Sequence, residues 1–213
     1  EVSARLFWGM SKVLDGRQRL VAAVLGKPEC PFPESPIQLL VQLPVGELRG
    51  ALFIENQMSF EQAARSGSAR LDGIALAYAS GFRGSAQRLR SVWGSSVYYS
   101  PRGAVYSECR RAFESWLYAK AEGLPSYFWG DLDWSGMGIL RAMRMSFSNM
   151  QAWPGGYSLM LQSLLGGQGH APNEADKQGQ VPVFVTGCPY ADAQLIPALR
   201  STGNFVDQEL FVL

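Results

Sequence analysis

The chain has 213 residues, of which 47% are hydrophobic and 17% charged, with a net charge of +1. That is enough apolar material for one large domain, or one domain with a lead-in. It excludes a global polycation that would hold nucleic acid by overall charge, and the low charged fraction points to apolar surface that meets a partner or a further domain.

In chain order, residues 1–27 read as helical, with Leu6, Phe7, Met10, Val13, Leu14, Leu20, Val21 and Val24 interleaved with charges. "GKPECPFPESP" (26–36) is a Pro-rich connector. "IQLLVQLP" (37–44) and "ELRGALFIEN" (47–56) read as strands, and "MSFEQAARSG" (58–67) as a short helix. "GIALAYASG" (73–81) is an apolar run bounded by glycines, as buried parallel strands are. Residues 84–95 read as a basic helix and 104–122 as a second helix. "SYFWGD" (126–131) reads as a strand, 136–147 as a helix, "MQAWPGGY" (150–157) as a further strand and "YSLMLQSLL" as a short helix. The Gly-rich stretch 166–180 reads as a solvated surface loop. "VPVFVTG" (181–187) reads as a strand, and 190–203 as a helix interrupted or started by Pro197. Strands alternating with helices predict an α/β fold with a mainly parallel sheet, covering 37–213 after a helical lead-in and connector over 1–36.

The cysteines, at 30, 109 and 188, form no C-x-x-C pair and are odd in number, which argues for a reducing, cytoplasmic setting without a zinc site. No apolar run approaches the ~20 residues that cross a bilayer, so no membrane partner is expected. The opening "EVSARLFWGMSK" lacks the layout of a signal peptide, and a start at Glu rather than Met suggests a fragment. The single histidine, His170, excludes an H-E-x-x-H helix and a two-histidine metal site, and puts a Ser-His-Asp triad on a mobile loop. Any catalysis is therefore expected to rest on carboxylates.

Those carboxylates follow apolar strands. Glu55 follows "ALFI", and Asp131 and Asp133 follow "YFW". Ligands of parallel α/β sheets bind at the carboxyl ends of the strands, so if the two strands are neighbours the three acids converge. Two aspartates at an apolar strand end repel each other and require a positive charge between them. Three oxygen donors without histidine or thiol suit a hard cation, Mg²⁺ or Mn²⁺, which activates water and stabilises a transferring phosphoryl group. Three other readings compete. "DLDWSG" opens like an EF-hand loop, but the twelfth position is Ala142 where a Glu is needed. A phosphatase of the haloacid-dehalogenase kind also places D-x-D after a strand, but needs a lysine and further acids downstream; Lys177, in the loop, is the only lysine after 131, and Asp192 the only acid near a later strand end. One aspartate could simply cap the next helix.

Glu after one strand and D-x-D after a later one is the pattern of the Toprim domain. The succession "FIENQMSF", "IALAYASGF", "YFWGDLDWSGMGIL", "GCPYADAQLIPAL" and "VDQELF" resembles the C-terminal half of the JetD (MksG) family, the nuclease subunit of the Wadjet plasmid-defence system. "ARLFWGMSK" resembles the segment before that domain, so the resemblance covers nearly the whole chain. It implies a Toprim-like fold, a mainly parallel sheet flanked by helices, similar to that of the topoisomerase VI A subunit. It also implies Mg²⁺-dependent cleavage of double-stranded plasmid DNA together with a condensin-like, SMC-type ATPase complex; breaking both strands would further suit a homodimer with one site per strand. By motif, Glu55, Asp131 and Asp133 correspond to the family's metal-binding catalytic acids, and Glu209 in "DQE" to a recurring C-terminal acid.

The tyrosine nucleophile of topoisomerase VI comes from an upstream domain. Tyr98, Tyr99 and Tyr106 read as packing aromatics, which leaves water as the simpler nucleophile. For DNA contact, residues 81–120 carry Arg83, Arg88, Arg90, Arg102, Arg110, Arg111 and Lys120 against Glu108 and Glu114, an excess of five cations. Arg83, Arg88 and Arg90 are the expected phosphate contacts, the alternative being a solvated helix face. No motif reads bases. The competing functions are a non-catalytic Toprim-fold regulator for DNA binding or dimerisation, and a small-molecule phosphotransferase of the haloacid-dehalogenase kind.

Overall fold

The computed structural model describes residues 2–10, 13–14, 17–28, 30–32, 35–79, 82, 86–104, 108–119, 121 and 123–210. The chain divides into two compact units, Glu1–Pro36 and Ile37–Leu213. In the first, α1 (Val2–Leu6) and α2 (Gln18–Val24) are short helices. The buried Ser3 hydroxyl donates to the Met10 carbonyl (2.7 Å) and accepts from the Val13 N–H (3.0 Å), closing the turn after α1.

The second unit runs β1 (Ile37–Gln42), β2 (Gly50–Ile54), α3 (Gln57–Ser66), β3 (Ile74–Tyr78), α4 (Ala86–Leu89), β4 (Ser95–Tyr99), α5 (Glu108–Leu117), β5 (Ser126–Trp129), α6 (Trp134–Ser146), β6 (Met150–Ala152), α7 (Pro154–Leu165) and α8 (Ile196–Thr202). The strands form one six-stranded sheet in the order β4-β1-β3-β2-β5-β6. Every pairing is parallel except β1 against β3. The chain therefore has the expected α/β class: a mostly parallel sheet flanked by helices, consistent with a Toprim-like architecture. Among the described residues no helix is long and apolar enough to cross a membrane.

The central strand β2, "GALFI", is buried along its whole length, which only helices on both faces achieve. Register shows which helix covers which face. Phe53 pairs with Phe128 on β5, and their face carries the aromatic cluster with Phe82, Trp116 of α5 and Phe147 at the end of α6. Ile54 pairs with Trp129 and Tyr78 on the other face, where Tyr78 meets Phe60 of α3 and Trp129 meets Met160 of α7. The units β2-α3-β3 and β5-α6-β6 thus leave neighbouring strands in opposite directions and on opposite faces. That arrangement opens a crevice between β2 and β5 at their carboxyl ends.

Three sequence expectations are corrected. Among the described residues of 84–95 the only helix is the four-residue α4, and "SSVYY" forms β4, an edge strand; its β-branched and aromatic residues suit a strand bounded by Gly94 and Pro101. The strand expected over 150–157 stops at Ala152, because Pro154 occupies the first turn of α7, where its missing N–H costs nothing. Residues 181–187 pair with no strand: Pro182 has no N–H, and the Thr186 and Gly187 N–H groups donate to Asp192 (2.7 and 3.0 Å).

Arg90, expected at DNA, is also corrected. Its guanidinium donates to the carbonyls of Trp116 (3.0 Å), Leu117 (3.3 Å) and Ser146 (2.9 Å) and lies 5.1 Å from the Phe147 ring centroid. One cation thus satisfies the orphan carbonyls at the ends of both α5 and α6, where a positive charge also meets the negative helix ends. It is committed to the fold. Arg90→Ala is expected to lower stability by about 2–3 kcal/mol, since three carbonyls lose a charged donor; urea denaturation of the variant checks this, with an unshifted midpoint counting against the role.

Candidate active site

At the end of β2 the chain turns at Glu55 and Asn56 into α3. The Asn56 Oδ1 accepts from the Met58 and Ser59 N–H groups (2.7 and 3.1 Å), so the turn is fixed by an N-cap. At the end of β5 comes Gly130, then Asp131, Leu132 and Asp133. Glu55 N donates to the Trp129 carbonyl (3.0 Å), which sets the two strand ends side by side. Gly130 leaves room for the glutamate: a Cβ on it would lie 2.2 Å from Glu55 Oε2 and 2.8 Å from the Phe128 ring, so both side chains would have to shift. Gly136 is required by close approach, since a Cβ there would lie 2.2 Å from the Asp131 carbonyl oxygen. Beneath the turn, the fully buried Tyr157 hydroxyl accepts from the Gly130 N–H (3.0 Å).

The structure brings the three predicted acids together. Asp133, 1% exposed, uses Oδ1 to cap α6 through the Gly136 N–H (2.7 Å), so the capping role is real, and keeps Oδ2 for the site. Asp131 Oδ1 accepts from the Gln208 N–H (2.8 Å). The positive charge between the aspartates is Lys177. Its ammonium lies 2.8 Å from Asp131 Oδ2, 3.0 Å from Asp133 Oδ2 and 2.7 Å from Asp207 Oδ1. Gln180 Nε2 donates to Asp133 Oδ2 (2.8 Å), and His170 Nε2 lies 3.2 Å from Asp207 Oδ1.

These partners correct the reading of 166–180 as a merely solvated loop. The segment is tied down because Phe205-Val206 lies between two chain segments, pairing with His170 on one side and Leu132 on the other. The acid of "DQE" that reaches the site is Asp207, not Glu209. Glu209 accepts from the Asn56 side-chain amide (2.6 Å). Between them Gln208, fully buried, accepts from the Asn56 N–H (3.2 Å) and donates to the Trp129 carbonyl (3.2 Å), clamping the ends of β2 and β5 to each other. Asp192 closes its own turn at Thr186 and Gly187.

Of the other expected contacts, Arg83 and Tyr106 lie outside the described residues, and Arg88 is half-buried on α4. Arg102, Arg110 and Arg111 each pair with an acid: Glu61 at 3.3 Å, Glu114 at 2.9 Å and Glu108 at 3.8 Å. These are exposed pairs of little worth, open to exchange for phosphate. Tyr98 and Tyr99 stand on β4, three strands or about 14 Å across the sheet from β2; Tyr99 donates to Glu114 (2.8 Å).

Electrostatics follow from crowding. Burial, then Asp131 and Asp133, push the Glu55 carboxyl from 4.5 up to about 7, against the weaker pull of the Asp131 N–H and Lys177. Burial also lifts Asp131, opposed by Lys177 and the Gln208 N–H. Burial disfavours the Lys177 ammonium, but its ion pairs with Asp131 and Asp207 outweigh that and hold it charged. Asp207 is held below its ordinary range, the Lys177 and His170 contacts outweighing its partial burial.

The residues fit a hard cation. The ammonium already occupies a cradle of three carboxylates, and the buried Glu55 Oε2 has no hydrogen-bond partner, an orphan oxygen beside that cradle. Among the described residues no group of three acids, imidazoles or thiols is spaced to hold a metal ion, and the three carboxylates of the cradle converge on the ammonium instead. Compared with known proteins, the chain matches no family model and no curated protein.

The raised Glu55 fixes a pH dependence. Its native form holds a proton that the unfolded chain, with a pKa near 4.5, releases earlier. Its contribution is therefore fully present below about 4.5 and lost as pH rises through about 7. In EDTA, stability is expected to fall between pH 5 and 8 by up to about 3 kcal/mol from this group, and Glu55→Gln to flatten the profile. Urea midpoints across that range check it; a variant that melts well before the parent at pH 8 would mark Glu55 as structural.

Proposed function

We propose that this chain is the Toprim-like catalytic part of a Mg²⁺- or Mn²⁺-dependent DNA endonuclease of the JetD/MksG kind, a cytoplasmic enzyme cutting plasmid DNA in a condensin-associated defence system. The observation that carries the reading is the convergence of Glu55, Asp131 and Asp133 at the carboxyl ends of adjacent parallel strands, at the crevice where β2 and β5 diverge.

In this reading Asp131 Oδ2, Asp133 Oδ2 and Glu55 Oε2 would hold the cation, which when bound would lower the pKa of a water and offset charge on the phosphoryl group. The protein supplies orientation. The Gln208 N–H holds one Asp131 oxygen and the Gly136 N–H one Asp133 oxygen, so each carboxylate presents its other oxygen in a fixed rotamer. Phosphate contacts come from the exposed cations of 81–120, Arg102, Arg110 and Arg111 among them, with no base readout. A near-neutral chain binds DNA weakly by itself, so the substrate is delivered by an SMC-type ATPase complex, and a homodimer breaks both strands.

One observation favours the phosphotransferase of the haloacid-dehalogenase kind as a second reading. The lysine and further acid it requires are both present, as Lys177 and Asp207 beside Asp131. Glu55 and the antiparallel β1 have no part in that reading.

The test incubates the full-length protein with supercoiled plasmid and Mn²⁺, with and without the ATPase complex and ATP, beside a phosphate monoester. Cutting is expected only with the complex and ATP, and Asp133→Asn, which keeps the helix cap, is expected to reduce it by at least 10³-fold. Monoester turnover without plasmid cleavage would favour the second reading. Neither activity would leave the non-catalytic regulator.

A further inference from the structure

The Lys177 ammonium has three donors, and three carboxylate oxygens meet them at 2.7–3.0 Å. A divalent ion would bind such oxygens at about 2.0–2.2 Å, inside the volume the ammonium now fills. The two cations are therefore mutually exclusive at Asp131 Oδ2 and Asp133 Oδ2.

The lysine is also poorly tethered elsewhere. Between the His170 bridge to Phe205 and the Gln180 contact with Asp133, the segment 171–179 is mostly exposed. Its own internal bonds, Ala171 N–H to Glu174 (2.7 Å) and Lys177 N–H to the Pro172 carbonyl (2.8 Å), do not involve the Lys177 side chain. That side chain is 18% exposed and has a route to solvent. The charges facing it are Asp131, Asp133 and Asp207 in contact and Glu55 nearby, with His170 on the far side of Asp207. Three aspartates against one lysine leave a net negative centre, which favours a doubly charged ion over a singly charged one.

We propose that Lys177 is a resident counter-cation of the acid centre, one that a divalent ion displaces on entry, and that Asp207 belongs to the same cation cradle. The inference rests on the metal-site reading above and adds its regulation. Metal occupancy and an outward Lys177 are one event, and the protein without metal keeps the lysine on its aspartates. The lysine also explains how the acids tolerate one another before metal arrives, which neither Glu55 nor the D-x-D pair explains by itself.

Two measurements test it on the full-length protein. In the wild type, amine acylation followed by mass spectrometry should show Lys177 labelled slowly in EDTA and at least tenfold faster with saturating Mg²⁺, the exposed Lys27 serving as an unchanged reference. Separately, Lys177→Met should bind Mn²⁺ at least tenfold more tightly than wild type by calorimetry or electron paramagnetic resonance, with Asp131→Asn abolishing binding in both backgrounds. Lys177 that stays protected while metal binds, or equal affinities with and without the lysine, would overturn the displacement and leave the metal site standing. No divalent binding in wild type or Lys177→Met would overturn both.

Discussion

The organising constraint of this protein is the mutual repulsion of acids at the closed end of an apolar sheet. β2 and β5 are buried, so Glu55, Asp131 and Asp133 have little water to dissipate their charge, and at short range in such a setting like charges cost several kcal/mol. The chain resolves this in two ways. Glu55 takes a proton near neutrality, and the aspartates share one lysine that also holds Asp207. The surrounding features serve that resolution. Gly130 makes room for the glutamate, Gly136 lets α6 begin against Asp131, and Gln208 laces the two strand ends at the spacing the charges require.

The sheet order gives the acids their place. Because β2 leads to β3 and β5 to β6, the two central strands part company in opposite directions, and the crevice between their ends is met by Lys177 and Gln180 and bridged by Gln208. The same topology places aromatic packing on one face and α3 and α7 on the other, so the acid turns project from a rigid base. Arg90 adds to that rigidity by joining the ends of α5 and α6.

What was legible in the sequence was local. An apolar run ending in Glu55, and another ending in Asp131 and Asp133, carry their meaning within a few residues, and the α/β class follows from their alternation with helices. What was not legible was tertiary. Lys177 and His170 sit in a Gly-rich stretch whose composition reads as solvent-exposed, and it is the pairing of Phe205 with His170 and of Val206 with Leu132, with the Gln180 contact to Asp133, that brings them inward. Asp207 and Glu209 lie two residues apart in one acidic word, and nothing in that word tells which one turns toward the site. Arg90 failed for the opposite reason: a cation near other cations reads as a surface, and its three carbonyl partners come from helices 26 and 56 residues away. β4 was hidden by its shortness between a helix-like basic run and a proline.

The Gln208 clamp has a consequence for how the protein is made. Its side chain bridges Asn56 and Trp129, and its partner at Asn56 is 152 residues earlier in the chain. At translation rates of about 5–20 residues per second, β2 leaves the ribosome about 8–30 s before that clamp exists. Lys177 and Asp207 arrive in the same late stretch. A nascent chain therefore carries the sheet and its first acids without the parts that align and neutralise them, so the centre matures only once residues 177–208 have emerged. Until that stretch emerges, the chain is not equipped for whatever chemistry the centre performs.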